Sequence, residues 1–543
     1  MVFARRSTTL LAAIIASCAM VLSLTACTSD NKTVVDGQTT VTSNSAGGVA
    51  VFTPSDGITL NQQMPLNKWA KLVPDLTKAL VDAGFKKGDI DHTTSDSLDK
   101  QSRAIQDFVV DHLSNNTTDD SGIAIAPDNM TLLVAPVVEA DASTRQYGDY
   151  VSQNLSTNDV TDGEATSDGE SSEDDSSKDD SSNTESDSTA SDEQAQAVDR
   201  LVSSLKLAKE SGMHVVLLGN SIEGYKPDAF VKFSDAQTIG KLQAEKMVSK
   251  LKLDKASKDN PKYIEVLLPY TAVDEKGNVN DSTFAQEAFR GIWQVLGSYY
   301  QKGVVESPSG TLDGKSTEND WQAVAYDAAK EGSTAKVLDK RLAKTDGQST
   351  LTRIDGIITM NDYIASEVVK ELDDLGYTGS AADINPQITI SGIVGNITGK
   401  KDLSRDAVPD PIKSPENDNA NDSSSSDDDA DEDTSASDKD RDSQWPLVTG
   451  YGAYVSNIPS IVNGKQWMTG MEDRQTIATD IAQACAKLNK DEALNSMPSI
   501  RNSEVGGVKK TPTISEPLLA VSASNLKSAL IDPGYISLAD AGL

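Results

Sequence analysis

Cysteine and histidine are scarce in this chain of 543 residues, with three of each. Cys18 and Cys27 lie near the N-terminus, so Cys485 stands alone in the body and no disulfide can form within it. Cys485 ends the helical pattern Thr476-Ile477-Ala478-Thr479-Asp480-Ile481-Ala482-Gln483-Ala484-Cys485, where a small buried hydrophobe is expected rather than a nucleophile. His92, His112 and His214 have no partners at metal-ligand spacing, so a zinc site is not expected. Basic charge is short as well: 49 Lys and Arg face 83 Asp and Glu, a formal net charge of -34, which argues against nucleic acid as a partner. Missing too are a Gly-x-Ser-x-Gly elbow, a Walker loop and a Gly-x-Gly-x-x-Gly run after a strand. No enzyme activity and no cofactor are expected.

Much of the negative charge sits in two tracts, Ser156 to Glu193 and Asp410 to Asp442. Such composition buries too little apolar surface to offset ordering entropy, so both tracts are expected to be disordered inserts. They lack the glycine and twelfth-position glutamate of a calcium loop in register. At the N-terminus, Arg5 and Arg6 precede an apolar run from Leu10 to Leu22 that is short for a membrane span. This reads as an export signal over residues 1–26. The run closes on Leu24-Thr25-Ala26-Cys27, which resembles a bacterial lipobox. That resemblance implies a lipid-modified Cys27 holding the protein on the outer face of the cell membrane, since two acyl chains anchor stably where one does not. The polar residues after Cys27, to Gly47, are expected to form a flexible tether.

The remainder alternates. Apolar runs expected to be buried strands are Gly48 to Thr53, Met130 to Val138, His214 to Gly219, Tyr263 to Leu268, Gly356 to Met360, Ile388 to Val394 and Leu447 to Thr449. Between them apolar residues recur at helical spacing: Trp69, Leu72, Val73, Leu76 and Leu80; Val198, Leu201, Val202, Leu205 and Ala208; Ile364, Val368, Val369 and Leu372. Gly84, Gly212 and Gly376 follow these helices where a left-handed cap is expected. Strand, helix, strand in succession predicts an α/β fold with parallel sheets. Ligands of such folds bind beyond the carboxyl ends of the strands. Here those ends are Thr53-Pro54, Ala135-Pro136, Gly219-Asn220-Ser221, Pro269-Tyr270, Met360-Asn361-Asp362 and Gly450-Tyr451-Gly452.

Several segments in order resemble type I periplasmic substrate-binding proteins of ABC sugar importers, particularly the xylose- and ribose-binding group. They are Phe233-Ser234-Asp235 through Gly240, Phe289-Arg290-Gly291-Ile292, Asp320-Trp321 through Ala325, Ile354 through Asp362, Leu375-Gly376-Tyr377, and Val521 through Tyr535. The resemblance implies two Rossmann-like lobes with parallel sheets joined by a three-crossing hinge, closing on a sugar and presenting the closed form to the permease subunits of an importer. It places an N-terminal lobe at 48–234, a C-terminal lobe at 235–470 and a return segment at 471–543. It makes Trp69, Asn220, Asp235, Trp321, Asn361 and Tyr451 the candidate ligand-binding residues, rings stacking on sugar and amides taking hydroxyls. Trp69 fits equally as the first core residue of its helix, and Asn361 would also serve as a helix cap. Three positions depart from the family: Asn220-Ser221 stands for Asp-Arg, Gly450-Tyr451-Gly452 lacks an aspartate, and Glu472 stands for a lysine. The departures leave open an extracellular sensor or accessory lipoprotein of the same fold that signals to a membrane partner.

Overall fold

A computed structural model describes residues 32–35, 38–41, 46–55, 65–115, 125–138, 144–150, 153–156, 185–273, 281–343, 351–381 and 445–543. The export signal, Cys27, the expected strand at Ile388 to Val394, most of the first acidic tract and all of the second lie outside the described residues. Within the stretch expected to be a flexible tether, Lys32–Val35 (β1) and Gln38–Val41 (β2) instead pair as an antiparallel ribbon. Thr and Val dominate both strands, and β-branched side chains favour extended backbone.

The first sheet is built from Gly48–Pro54 (β3), Ile90–Ser95 (β4), Met130–Val134 (β5), His214–Leu218 (β7) and Ala229–Lys232 (β9), all parallel in the order β4-β3-β5-β7-β9. Two late strands extend it: Val508–Ser515 (β18) runs parallel to β9, and Ile500–Val505 (β17) runs antiparallel to β18. A short ladder of Asn154–Leu155 (β6) and Ser221–Ile222 (β8) lies apart. Helices Trp69–Asp82 (α1) and Arg474–Leu488 (α10) cover one face, and Leu98–Asn115 (α2) and Glu185–Glu210 (α3) the other. The central strands β3, β5 and β7 are mainly apolar because both their faces are covered. Val49, Val51, Val216 and Leu218 pack toward Leu72, Leu76 and Ile481, whereas Ala50, Phe52, Val215 and Leu217 pack toward Ile105, Val109, Leu201 and Leu205. Cys485 is fully buried in the first of these cores, and burial pushes its thiol pKa up. Helix α3 begins at Glu185, inside the acidic tract expected to be disordered.

The second sheet has the order β12-β10-β14-β15-β16-β19, from Lys262–Val266 (β10), Val305–Glu306 (β12), Gly356–Ile358 (β14), Leu447–Tyr451 (β15), Met468–Met471 (β16) and Leu519–Ser522 (β19). All pairings are parallel except β16 with β19. Leu268–Pro269 (β11) and Ala325–Tyr326 (β13) form a separate parallel pair. The helices are Ala236–Leu251 (α4), Thr283–Gln301 (α5), Trp321–Val324 (α6), Ser333–Arg341 (α7), Asp362–Asp374 (α8) and Ile458–Val462 (α9). Helices α4 and α5 pack in backbone contact, since a Cβ on Gly240 would lie 2.2 Å from the Ala288 carbonyl oxygen and one on Gly291 2.0 Å from that of Gln237. That contact explains two glycines in the segments that resemble the sugar-binding family.

The chain passes between the lobes at three places: from β9 to α4 through Phe233–Asp235, from β16 to α10 through Glu472–Asp473, and from β18 to β19 through Glu516–Leu518. The last passage returns the tail to the second sheet. There Leu526, Leu530, Tyr535 and Ile536 pack with Ile458, Met471 and Val521.

Candidate functional site

Contacts between the lobes gather at the carboxyl ends of the strands. Beyond β14, Met360 adopts a left-handed backbone (φ 69°), which costs a bulky residue about 1 to 2 kcal/mol. The Gln243 side chain donates to the Met360 carbonyl at 2.9 Å and Thr359 Oγ1 to that of Asn361 at 3.1 Å, fixing this turn. Asn361 then caps α8, its Oδ1 accepting from the Ile364 N–H at 2.9 Å. Its Nδ2 reaches the other lobe and donates to Gln146 Oε1 at 3.1 Å. Asp362 is buried beside it and accepts from the Tyr454 N–H (2.9 Å), Thr469 Oγ1 (2.8 Å) and Gln466 Nε2 (2.7 Å). Burial pushes its carboxyl up to about 6, and those donors oppose the rise.

Tyr451 ends β15 with its hydroxyl 2.5 Å from Ser234 Oγ and 3.4 Å from Glu472 Oε1. The same Glu472 oxygen accepts from the Ser234 N–H at 2.6 Å and also from the Ser234 hydroxyl. The first and second crossings are therefore joined by a buried carboxyl. Burial pushes Glu472 up to about 7, with Asp235 adding to the rise and the Ser234 and Tyr451 bonds opposing it. Tyr451 is raised as well, by burial first and by Glu472 second.

The other candidates have partners of their own. Trp69 is buried, with Tyr150 edge-on at 5.0 Å and Phe233 at 5.7 Å. Asn220 pins two loops, donating to the Pro136 carbonyl at 2.9 Å and accepting from the Gln153 N–H at 3.0 Å. Asp235 caps α4 through the Thr238 N–H (2.7 Å) and pairs with Lys232 (2.8 Å). Burial works against its charge, but those partners hold its pKa below the usual carboxylate value. Trp321 starts the short helix α6, half-buried, with its ring 5.2 Å from Tyr270. Thus Asn361 and Tyr451 take part in contacts that link the lobes, Trp69 and Asn220 shape the N-terminal side, Asp235 caps α4 at the first crossing, and Trp321 packs on Tyr270 in the C-terminal lobe.

Gln146 and Tyr147 were not among the sequence candidates. They sit in a single turn, Thr144–Tyr147, within a polar stretch. The signal that could have found them is aromatic: Tyr147 and Tyr150 are the only rings between Glu139 and Thr184. Two large apolar side chains in a hydrophilic insert mark a place that docks on something.

No protein-family model and no curated protein matches this chain. Solved structures similar to it include an ABC-transporter solute-binding protein from Clostridium phytofermentans with bound β-D-glucose, at 17% identity and a TM-score of 0.44 over 91% of this chain and 99% of that one. A carbohydrate-transporter solute-binding protein from Chloroflexus aurantiacus in complex with D-glucose is similar at 19% identity and a TM-score of 0.42, over 92% and 98%. A periplasmic ribose ABC transporter protein from Conexibacter woesei follows at 12% and 0.41, over 90% and 96%. By its own strand orders, the chain is a doubly wound α/β protein of two parallel-sheet lobes joined by three crossings.

Proposed function

We propose that this protein is a solute-binding subunit that captures a small polar ligand, a carbohydrate, between its lobes and delivers it to the permease of an ABC importer. The export signal and lipobox support a lipid anchor at Cys27 and a site of action on the outer face of the cell membrane. One observation carries the reading: the Asn361 amide stands at a strand end and spans the interlobe space to Gln146. A planar amide in that place is suited to paired sugar hydroxyls. In this proposal Trp321, half-buried at a helix start, is the stacking face, and Tyr451, Trp69, Asn220 and Asp235 complete the candidate ligand set. Glu472, buried at the crossings with no cation partner among the described residues, differs from the lysine the family resemblance implies, so the ligand is not assumed to be a pentose.

A thermal-shift screen against hexoses, pentoses, inositols and short oligosaccharides tests the proposal, since a bound ligand raises the melting temperature by mass action. Stabilisation by at least one sugar supports it. No response to any, with a nucleoside or amino acid responding instead, would replace the ligand class. The second reading, a sensor or accessory lipoprotein of the same fold, is favoured by one observation: the Asn361 amide already has a partner from its own chain. Copurification with a kinase ectodomain rather than a permease would select it.

A further inference from the structure

The segment 144–150 joins the lobes in an unusual way, because it is rooted in one and ends in the other. On the N-terminal side, the Asp149 carboxylate takes the Lys68 ammonium at 2.8 Å and the Trp69 N–H at 3.1 Å, at the start of α1. The Asp149 N–H donates to the Asn67 carbonyl at 2.8 Å, and Tyr150 donates its hydroxyl to the Lys68 carbonyl at 2.5 Å while its ring stacks on Phe233 at 4.8 Å. Gly148 lies between root and tip at φ 98°, and a Cβ there would lie 2.5 Å from the Asn67 carbonyl oxygen. Any side chain at that position would push the segment off α1.

The tip belongs to the other lobe. Tyr147 is 1% exposed and packs in the core of the C-terminal lobe, its ring 4.7 Å from Phe284 and 6.3 Å from Tyr451. Gln146 accepts from Asn361 Nδ2 through its side chain, and from the Tyr454 hydroxyl at 2.7 Å through its backbone carbonyl. These are groups that a captured solute would use: a strand-end amide, a phenol and an aromatic wall.

We infer that residues 144–150 form an intramolecular strap that occupies the solute cleft and holds the lobes closed without ligand, so that a sugar enters by displacing Gln146 and Tyr147. This rests on the solute-binding reading for its ligand, but not for its geometry. The strap competes with solute, and apparent affinity is reduced by the fraction of molecules in which it is seated. A strap seated in nine molecules of ten lowers affinity about tenfold.

The test measures interlobe distance in the full chain by energy transfer between fluorophores on non-canonical residues at Lys100 and Lys330, whose side chains are 66% and 83% exposed. Wild type without sugar should show one short distance. Gln146→Ala with Tyr147→Ala should lengthen it, and Tyr454→Phe, which keeps the ring and loses one strap bond, should give an intermediate distribution even if the double variant folds poorly. The sugar found by thermal shift should bind the double variant about tenfold more tightly. Equal distances in all three proteins would overturn the strap, as would unchanged or weaker sugar binding by the double variant. Lobes that open in the variants while no sugar binds any of them would uphold the strap and remove the solute-binding reading instead.

Discussion

The Glu472 carboxyl accepts the Ser234 N–H at 2.6 Å, so the first and second passages between the lobes are tied together by one buried acid. Its pKa rises from an ordinary 4.5 to about 7. Between those values the folded chain holds the proton and the unfolded chain does not. Stability therefore falls as pH rises through that window, by on the order of 3 kcal/mol from this group alone. Asp362, raised from 3.8 to about 6, acts in the same direction at lower pH. Glu472→Gln should melt close to wild type at pH 5 and several degrees above it at pH 8. Calorimetric melting curves across that range check the sign, and parallel curves for the two proteins would refute the assignment.

Asn361 has two roles that substitution separates. Asn361→Ala removes the cap on α8 and should cost about 1 kcal/mol of stability, whereas Asn361→Ser keeps a capping oxygen and should cost less. Neither replacement reaches Gln146 or a ligand hydroxyl. In the Gln146→Ala with Tyr147→Ala background, where no strap competes, both should weaken sugar binding by about 1 to 3 kcal/mol, read by titration calorimetry beside urea denaturation. An Asn361→Ser change that leaves binding unaltered in that background would confine Asn361 to capping.

The two tryptophans differ in burial, and that sets different outcomes. Trp69 is 2% exposed in the N-terminal core, so Trp69→Ala should lose about 3 to 5 kcal/mol of stability. Trp321 is half-buried at a helix start, and Trp321→Ala should change stability far less. Denaturant midpoints measure both, and similar losses would show that Trp321 is part of the packed core.

Cys27 leads to a biochemical expectation. Cys27→Ser should abolish incorporation of a labelled fatty-acid analogue and release the protein from the membrane or leave it unprocessed. Equal labelling of the two proteins would remove the anchor.

What the sequence revealed follows from burial. Strands β3, β5, β7 and β14 are readable because helices cover both their faces, which demands continuous apolar runs. Strand β4 is not, because Ile90-Asp91-His92-Thr93-Thr94-Ser95 lies at the sheet edge and is mostly exposed. Strands β17 and β18 are hidden for the same reason, with Lys509 and Lys510 on an outer pair. The left-handed Gly84, Gly212 and Gly376 were legible, since a positive φ selects glycine. At the candidate site, Asn361 was visible as a strand-end amide before a helix. Gln146 and Tyr147 were not visible, because what they touch is far along the chain: Tyr147 meets Phe284 and Gln146 meets Asn361. Local pattern carries no record of such a contact.

Titration calorimetry of the best sugar from the thermal-shift screen, against wild type, Trp321→Ala and the Gln146→Ala with Tyr147→Ala variant, bears most directly on the proposed function. The account predicts saturable one-to-one binding by wild type, a loss of about ten- to a hundredfold in Trp321→Ala, and a gain in the strap variant. Binding to none of the three, or binding that Trp321→Ala leaves untouched while the strap variant loses it, would contradict capture of a sugar in this cleft.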